Sequence, residues 1–287
     1  MIVSFHPCIE GDRNITCAGR SPNNEDLKAI KAAHAVILSQ GCSRVLYEMA
    51  SNHCGNVFPN LDGKFRYPGK TGQIELFQKN KAPHPKTETF RDIHTYTSRY
   101  GGKQPGGDFS YPFVFKFSWG GEGESVHLIR SADDLDRIMQ QAIAYERSGL
   151  KGFLLQECIP ADGKTLRVVV VGQTIVSYWR VQHKKERFYS SLAKGAVVDA
   201  VSDSIRRKAA ERAVKQFCTE TGINLAGFDL IFSTLSETEK DRREPLFLEI
   251  NYFFGRKGLG GSEKFYALLR SEVEKWLAGL GKSLTGC

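Results

Sequence analysis

The sequence predicts an α+β protein in which antiparallel strand pairs and amphipathic helices share one chain. Residues 113–119 (FVFKFSW) place aromatic side chains on one face of a strand at period two. Ser131 can cap a helix whose apolar residues recur at helical spacing as far as Gly149. Segments 226–233 and 245–251 predict two strands that pair as an antiparallel hairpin. A chain of 287 residues has room for two or three packed layers or domains.

The composition is that of a soluble globular protein, with 41% hydrophobic and 25% charged residues. No apolar run approaches the roughly 18 residues that a membrane span needs, and the start MIVSFHPC lacks the basic region of a signal peptide. The cysteines are dispersed without a C-x-x-C pair, which favours free thiols in a reducing cytoplasm. A zinc site built from Cys8, Cys17, Cys42 and Cys54 with His6 or His53 is the alternative, although the spacing matches no standard cluster. We therefore expect a cytoplasmic protein that does not enter the membrane.

The net charge of +8 permits an anionic partner, such as a nucleotide, a polycarboxylate, a nucleic acid or an acidic protein. The chain has no long Lys/Arg run, no basic low-complexity tail and no RNA-recognition or zinc-finger signature. Nucleic-acid binding is therefore a minor alternative.

The N-terminal residues predict alternating strand and helix. Residues 2–5 form a short strand candidate. A helix is expected over residues 24–40, capped by Asn24 and stopped by Gly41, because its apolar positions recur at helical spacing. A second helix is expected over residues 43–51.

A proline-rich linker separates this part of the chain from the next. Tyr67–Lys81 begins with a Pro-Gly turn and continues as a short helix with Lys70 at its entrance. Ala82–Thr87 then has two prolines in three positions, which favours a linker, and we place the first domain boundary there. Residues 87–107 are polar and end in a glycine-rich stretch, so a surface loop is expected.

Lys116 is the unusual member of the aromatic strand, because it points to the face opposite the aromatic side chains. An ammonium group there is costly unless it meets water, a carboxylate or a bound anion. The loop that follows, Gly120–Ser125, has little Cβ cover, so its backbone N–H groups can approach a phosphate. A strand lysine before a glycine loop indicates a nucleotide cradle, although not a Walker A loop, whose lysine follows the glycines. The alternative is a lysine that reaches water beside an ordinary hairpin turn.

Turn signals define the strands after the glycine loop. Val126–Ile129 can pair back on the lysine strand, and Phe153–Ile159 is a strand that ends at a proline. Leu166–Val171 and Thr174–Arg180 form a hairpin that leaves Arg167 facing solvent or a cleft.

Two helices and a basic segment account for most of the remaining chain. The basic Val181–Lys194 segment is either a solvated loop or a part of the acceptor site. A helix is expected over residues 202–221, capped by Ser202 and with Ile205 facing inward. The last helix is expected over residues 262–279.

The strand pair 226–233 and 245–251 carries a candidate metal site. Symmetric pairing puts Asp229 and Glu249 roughly opposite each other, while Glu249 and Asn251 share a face about 7 Å apart. Apposed carboxylates repel unless a cation lies between them, and oxygen ligands without His or Cys indicate Mg²⁺. The alternative is a pair of edge-strand carboxylates that point into solvent. The residues expected to pack behind this face are Leu246, Leu248 and Ile250.

Five segments, taken together, resemble the ATP-grasp superfamily, most closely its branch of RimK-type glutamate ligases and glutathione synthetase. The resemblance covers about Tyr67 to Gly261 and depends on the order and spacing of the segments, since each is weak alone. The segments are Lys116 with its glycine loop, Gln156–Ile159 (QECI), Leu166–Gly172 (LRVVVVG), Gly227–Ile231 (GFDLI) and Phe247–Asn251 (FLEIN).

The resemblance implies an ATP-grasp fold, in which two α/β subdomains grip ATP and a small α/β N-terminal domain precedes them. Residues 1–86 would be the N-terminal, substrate-side domain. Residues 87–160 would be the lid subdomain with the phosphate-binding loop, and residues 161–287 the C-terminal subdomain with the metal site.

The same resemblance implies roles for individual residues. The nucleotide phosphates would be bound by Lys70 and Lys116, and the loop closing over them would be Gly120, Gly121, Glu122, Gly123, Glu124 and Ser125. The interdomain hinge that reads adenine would be Gln156, Glu157, Cys158 and Ile159. Two Mg²⁺ ions, with Mn²⁺ as an alternative, would be held by Asp229, Glu249 and Asn251. The cleft in which an acyl phosphate forms would be lined by Arg167, Arg180 and Lys194.

The chain departs from the family pattern at several of these positions. Thr165 stands where an acidic residue usually contacts the ribose, and Asp162 is a candidate substitute. Ser125 replaces a frequent loop glycine, and Ser191 a frequent asparagine near the metal. The usual Asn-x-x-Pro-Gly is altered at Tyr252–Gly255, beside the acceptor substrate.

The function implied is an ATP-dependent carboxylate–amine (or thiol) ligase that acts through an acyl phosphate. Its substrates would be a small-molecule or peptide carboxylate and an amine acceptor. The alternatives are a phosphotransferase on the same fold and a nucleotide-dependent binding or regulatory module without turnover. The oligomeric state is left open, a homo-oligomer included.

Overall fold

Three β-sheets and the helices packed on them organise the computed structural model, which describes residues 1–101, 109–121, 125–182, 195–235, 238 and 243–284. The expected α+β class is confirmed, because two antiparallel sheets, one small parallel sheet and the helices packed on them share the chain.

The first sheet is entirely parallel, in the order β2-β1-β3-β4. Its strands are β1 (Ile2–Ser4), β2 (Arg13–Asn14), β3 (Ala35–Ile37) and β4 (Val57–Phe58), and the helices around it are α1 (Asn24–Ala32), α2 (Arg44–His53) and α3 (Asp62–Arg66). The predicted helix over residues 24–40 is wrong beyond Ala32, since β3 occupies its last part, and the cap is Asn23 rather than Asn24. The β3 side chains are buried on both faces, so their apolar run fits a central parallel strand as well as a helix.

The second sheet is antiparallel, in the order β5-β8-β6-β7. Helix α4 (Gly69–Lys79) precedes it; its strands are β5 (Thr87–Phe90), β6 (Phe113–Phe117), β7 (Val126–Ile129) and β8 (Phe153–Glu157), and its helices are α5 (Ile93–Tyr100) and α6 (Ala132–Arg147). The surface loop predicted over residues 87–107 is wrong as far as Gly101, because β5 and α5 lie there. Asp92 caps α5 by accepting the Thr95 N–H.

The third sheet is also antiparallel, in the order β11-β10-β9-β12-β13. Its strands are β9 (Lys164–Val171), β10 (Thr174–Val181), β11 (Val197–Asp199), β12 (Leu225–Ile231) and β13 (Leu246–Asn251), and its helices are α7 (Ser204–Thr221), a 3₁₀ turn (Lys257–Leu259) and α8 (Ser262–Gly279). Helix α7 is capped by Asp203 rather than Ser202. Ile205, expected to face inward, is 56% exposed, because it lies in the first turn beyond the edge of the sheet's core.

Two hydrophobic cores join the first and third sheets. Alternate residues of the parallel strands belong to different cores: Val3 and Val36 share one with Val168 and Phe228, whereas Ile2 and Ile37 share the other with Val169 and the apolar face of α8. The second sheet has a further core of its own, formed by aromatic and aliphatic residues between Phe90 and Leu155. The boundaries at 1–86, 87–160 and 161–287 remain a prediction.

No helix in the described ranges of the chain is both long and apolar enough to span a bilayer. No group of three or more His, Cys, Asp or Glu side chains in those ranges could hold a metal ion, so the alternative zinc site is wrong.

Candidate functional site

Four strands of the third sheet bring charged side chains to one face. Asp229 on β12 lies directly opposite Glu249 on β13, and on its other side opposite Arg167 on β9. Arg167 in turn faces Tyr178 on β10, and Arg180 follows two residues later. Residues that are directly opposite in an antiparallel sheet share a face, as do residues two apart on one strand. The predicted apposition of Asp229 and Glu249 is therefore confirmed.

A β-bulge corrects the residues expected behind this face. The register shifts after Asp229, so that Leu230 pairs with Phe247 and Leu248 is the extra residue. Phe247 and Ile250 are consequently buried in the core, while Leu246 and Leu248 are only half-buried. A symmetric hairpin predicted from the sequence cannot contain such a shift.

Asp229 is surrounded by protein donors. Arg167 donates to it through two nitrogens (Nη2–Oδ2 3.0 Å), and Arg180 donates from Nη2 at 2.8 Å. The Asn251 amide donates to Oδ2 at 3.2 Å. Burial raises the pKa of Asp229, but the two guanidinium groups outweigh that effect and hold the pKa below its ordinary value. The sequence predicts a cation between the two carboxylates. Beside Asp229, that positive charge comes from Arg167 and Arg180.

We expect Asp229→Asn to lower the free energy of unfolding by about 3 kcal/mol, because it leaves two buried guanidinium groups without a counter-charge. Urea denaturation measures the loss, and Asp162→Asn, at an exposed turn, is the matched control. Because the folded-state pKa lies below the ordinary value, the carboxylate's contribution is present above about pH 4 and is lost as the pH falls through the folded-state pKa. Equal stability of Asp229→Asn and wild type at neutral pH would contradict the ion-pair assignment.

Lys70, near the start of α4, joins Glu249 to the ends of the glycine loop. Its Nζ lies 3.5 Å from Glu249 Oε1, and it donates to the Gly120 carbonyl at 2.7 Å and to Ser125 Oγ at 3.2 Å. Lys70 is buried, whereas the Glu249 side chain is 29% exposed. One ammonium group therefore connects both described ends of the loop to a candidate metal carboxylate.

Lys116 lies on β6 between Val126 and Leu154, with its side chain 8% exposed. The aromatic residues of β6 pack in the second sheet's own core, so Lys116 faces away from them, as the period-two pattern predicts. Burial lowers the pKa of Lys116 to about 8, an effect that Lys70 increases and Glu249 opposes. Its ammonium has no hydrogen-bond or ion-pair partner among the residues that the structure describes.

The predicted hinge residues are the last two of β8, Gln156 and Glu157, and the two that follow it. Gln156 is buried and donates to Thr87 Oγ1 at 2.8 Å, and the Glu157 N–H donates to the Lys86 carbonyl at 2.8 Å. Cys158 and Ile159 are half-buried.

Other positions singled out from the sequence either have different partners or fall outside the structure. Thr165 accepts a hydrogen bond from Arg180 Nε at 3.2 Å. A Cβ added at Gly121 would meet no other atom within 4 Å, which leaves space for the loop to move. The predicted site residues that lie outside the described residues are Glu122, Gly123, Glu124 and Lys194.

Sequence reasoning missed the residues that dock α4 between the two sheets. Thr71 Oγ1 shares a 2.9 Å hydrogen bond with Ser118 Oγ, and Gly69, at φ +68°, leaves room for that serine. Gln73 hydrogen-bonds to the backbone of Ile250.

Sequence reasoning also missed Gly227, which leaves room for the Arg167 side chain, since a Cβ there would lie 3.0 Å from the Arg167 Nη1.

The donor set at this face fits a hard divalent cation. Asp229, Glu249 and Asn251 bring carboxylate and amide oxygens and no nitrogen or sulfur ligand. The Asp229 oxygens already accept from Arg167, Arg180 and Asn251, so Glu249 and the Asn251 oxygen are the more accessible donors. Glu249 is open to solvent, and its ammonium partner at 3.5 Å lies beyond hydrogen-bond distance.

Sequence comparison identifies the family of the chain. The model of the RimK-like ATP-grasp domain matches residues 69–265, which is well over half of the chain. A probable alpha-L-glutamate ligase of Xanthomonas oryzae pv. oryzae is 32% identical over 152 residues, which are 52% of this chain and 46% of that protein. A probable alpha-L-glutamate ligase of Xylella fastidiosa is 32% identical over 175 residues, 60% of this chain and 53% of that protein. The chain thus spans about half the length of the curated relatives it matches.

Solved structures show the same fold. A RimK-domain ATP-grasp protein from Sphaerobacter thermophilus has a TM-score of 0.59 at 15% identity, over 94% of this chain and 98% of its own. The D-alanine–D-alanine ligase of Bacillus anthracis, solved with ATP, has a TM-score of 0.61 at 11% identity, over 93% and 85%. The predicted ATP-grasp fold and RimK-type resemblance are therefore confirmed. The chain belongs to the RimK-like ATP-grasp family.

Proposed function

We propose that the chain is an ATP-dependent ligase that joins a carboxylate to an amine through an acyl-phosphate intermediate. One observation carries the proposal: two buried lysines, two arginines and two carboxylates converge where the second and third sheets face each other. Membership of the family and the names of the curated relatives support it.

The lysines would bind the nucleotide phosphates. Lys116 has an ammonium without a described partner, and Lys70 already lies against the ends of the glycine loop. Fixed cations stabilise the charge that develops during phosphoryl transfer. Gly120, Gly121 and Ser125, with the loop residues between them, would close over the phosphates and exclude water from the intermediate.

Asp229, Glu249 and Asn251 would hold Mg²⁺, and we propose two ions. When bound, Mg²⁺ would neutralise phosphate oxygens and help to orient the transferred phosphoryl group.

Arg167 and Arg180 would bind the reacting carboxylate and the phosphoryl group. Each guanidinium has five N–H donors, and only part of them is given to Asp229 and Thr165. The remaining donors can contact anionic oxygens without loss of the pairing with Asp229. Lys194 would join them on the acceptor side.

The remaining substrate contacts are also proposals. The backbone of residues 156–159 would read adenine. The carboxylate would be a small molecule or a peptide, and the acceptor an amine next to Tyr252–Gly255. Glutamate is one candidate, because the relatives are named glutamate ligases. A cytoplasmic location is supported by the free cysteines of the described chain.

Calorimetry of ATP binding, with and without Mg²⁺, tests the nucleotide site first. Magnesium-dependent binding is expected, followed by phosphate release when the right amino acid or peptide pair is supplied. Formation of ADP and a phosphorylated product without free phosphate would indicate phosphotransfer in place of ligation. Tight nucleotide binding without turnover on any acceptor would indicate a regulatory module, and no binding would overturn the proposal.

We expect nucleotide affinity to fall as the pH rises from about 7 to about 9, because the Lys116 ammonium loses its proton near pH 8. The phosphates of the nucleotide are attracted to the charged form only. Calorimetry across this range measures the effect, with Lys116→Met as the control, since it should remove most of the pH dependence. The same slope in Lys116→Met would assign the titration to another group.

A further inference from the structure

Gln73 on α4 pairs with the open edge of β13. Its Nε2 donates to the Ile250 carbonyl at 2.8 Å, and its Oε1 accepts from the Ile250 N–H at 2.9 Å. Strand β13 is the last strand of the third sheet, so backbone groups on its outer side lack a neighbouring strand. The amide of Gln73 binds one donor and one acceptor there, as an adjacent strand would.

The residue held in this way lies between two candidate metal ligands. Ile250 is preceded by Glu249 and followed by Asn251, and its side chain is buried in the core. Because side chains alternate along a strand, both ligands point to the site while the Ile250 side chain points away. Two hydrogen bonds to the backbone of one residue restrain the strand against both sliding and rotation. The direction of Glu249 and Asn251 therefore depends on that restraint.

The first turn of α4 is fixed to the strand that carries Lys116. The Lys70 N–H donates to the Ser118 carbonyl at 2.8 Å, and Thr71 bonds to the Ser118 side chain. Ser118 directly follows β6. One turn of helix therefore separates the contact with the lysine strand from the contact with β13. This single rigid element sets the distance between the two halves of the site.

We propose that Gln73 is a positioning residue, which holds Glu249 and Asn251 in the orientation that binds a divalent cation beside the nucleotide phosphates. The inference rests on the proposed function, since it assigns a role to a side chain that would touch neither metal nor substrate. Removal of a group that orients a metal ligand typically lowers metal affinity at least about tenfold.

Electron paramagnetic resonance of bound Mn²⁺, in the presence of a non-hydrolysable ATP analogue, tests the proposal. Gln73→Met keeps the length of the side chain and removes both hydrogen bonds. It should weaken Mn²⁺ binding about tenfold and alter the spectrum of the bound ion. Gln78→Met is the matched control, because Gln78 is an exposed glutamine of the same helix, and it should bind Mn²⁺ like the wild type. Thermal unfolding of each variant checks that the fold is retained.

Gln73→Asn is the second variant, in case Gln73→Met does not fold. It keeps the amide but is one methylene too short to reach both groups of Ile250, and it should lose Mn²⁺ affinity in the same way. Wild-type Mn²⁺ affinity in a folded Gln73 variant would overturn the positioning role, as would an equal loss in Gln78→Met. If the wild type itself binds neither Mn²⁺ nor the nucleotide analogue, the proposed function fails instead, so the two failures are distinguishable.

Discussion

Replacing Lys116 with methionine should reduce ATP-dependent turnover at least about a hundredfold, because the phosphates lose a fixed positive charge in a site shielded from water. Nucleotide affinity should fall as well. Calorimetry and phosphate release measure the two effects. Lys151→Met, at an exposed position before β8, is the matched control and should behave like the wild type. Unchanged nucleotide binding in Lys116→Met would remove Lys116 from the site.

The same variant should unfold at the same temperature as the wild type or higher. Lys116 has a pKa lowered to about 8 by burial, so the folded protein binds fewer protons than the unfolded chain between pH 8 and the ordinary lysine value. Stability therefore rises with pH through that window, and below it the buried ammonium destabilises the fold. Methionine removes that cost. A large drop in unfolding temperature would mean that Lys116 is structural.

Glu249→Gln should lower magnesium-dependent turnover about a thousandfold, because an amide oxygen is a weaker ligand for a hard cation and carries no charge against it. Phosphate release as a function of Mg²⁺ concentration measures the change. Glu244→Gln is the control, since Glu244 is exposed on the approach to the same strand. Wild-type turnover in Glu249→Gln would overturn the metal assignment.

Glu249→Gln should leave stability nearly unchanged, in contrast to Asp229→Asn. The Glu249 carboxylate is partly exposed and its ion pair with Lys70 is 3.5 Å long, so its loss costs less than about 1 kcal/mol. Asp229 is enclosed by two arginines and an asparagine. Comparison of the two variants therefore separates the loss of a candidate metal ligand, in Glu249→Gln, from the loss of a buried ion pair, in Asp229→Asn.

The sequence predicts the candidate site well where local periodicity decides the outcome. Period two puts Lys116 on the face away from its aromatic neighbours, and symmetric pairing of the two strands puts Asp229 across from Glu249; both placements are observed. Helix α6 begins after Ser131 as predicted, since its cap is a local signal.

Contacts between distant segments could not be predicted in this way. The bulge after Asp229 depends on how Phe247 fills the core, and the pairing of Asp229 with Arg180 depends on the order of strands in the sheet. Residues 35–37 fit a helix by periodicity, but tertiary packing makes them a strand buried on both faces. Gln73 meets Ile250 across 177 positions of sequence, which no local pattern encodes.

The cores shared by the first and third sheets determine which parts of the chain can exist alone. The family match begins at Gly69, yet a truncation to that residue would remove β1 and β3, whose side chains belong to the same two cores as Val168, Phe228 and Val169, and would expose the apolar surfaces that pack against them. Those apolar surfaces would favour aggregation. The parts of the chain that contain the first and third sheets should therefore unfold cooperatively, as one thermodynamic unit. The aromatic core between Phe90 and Leu155 is the part able to melt separately.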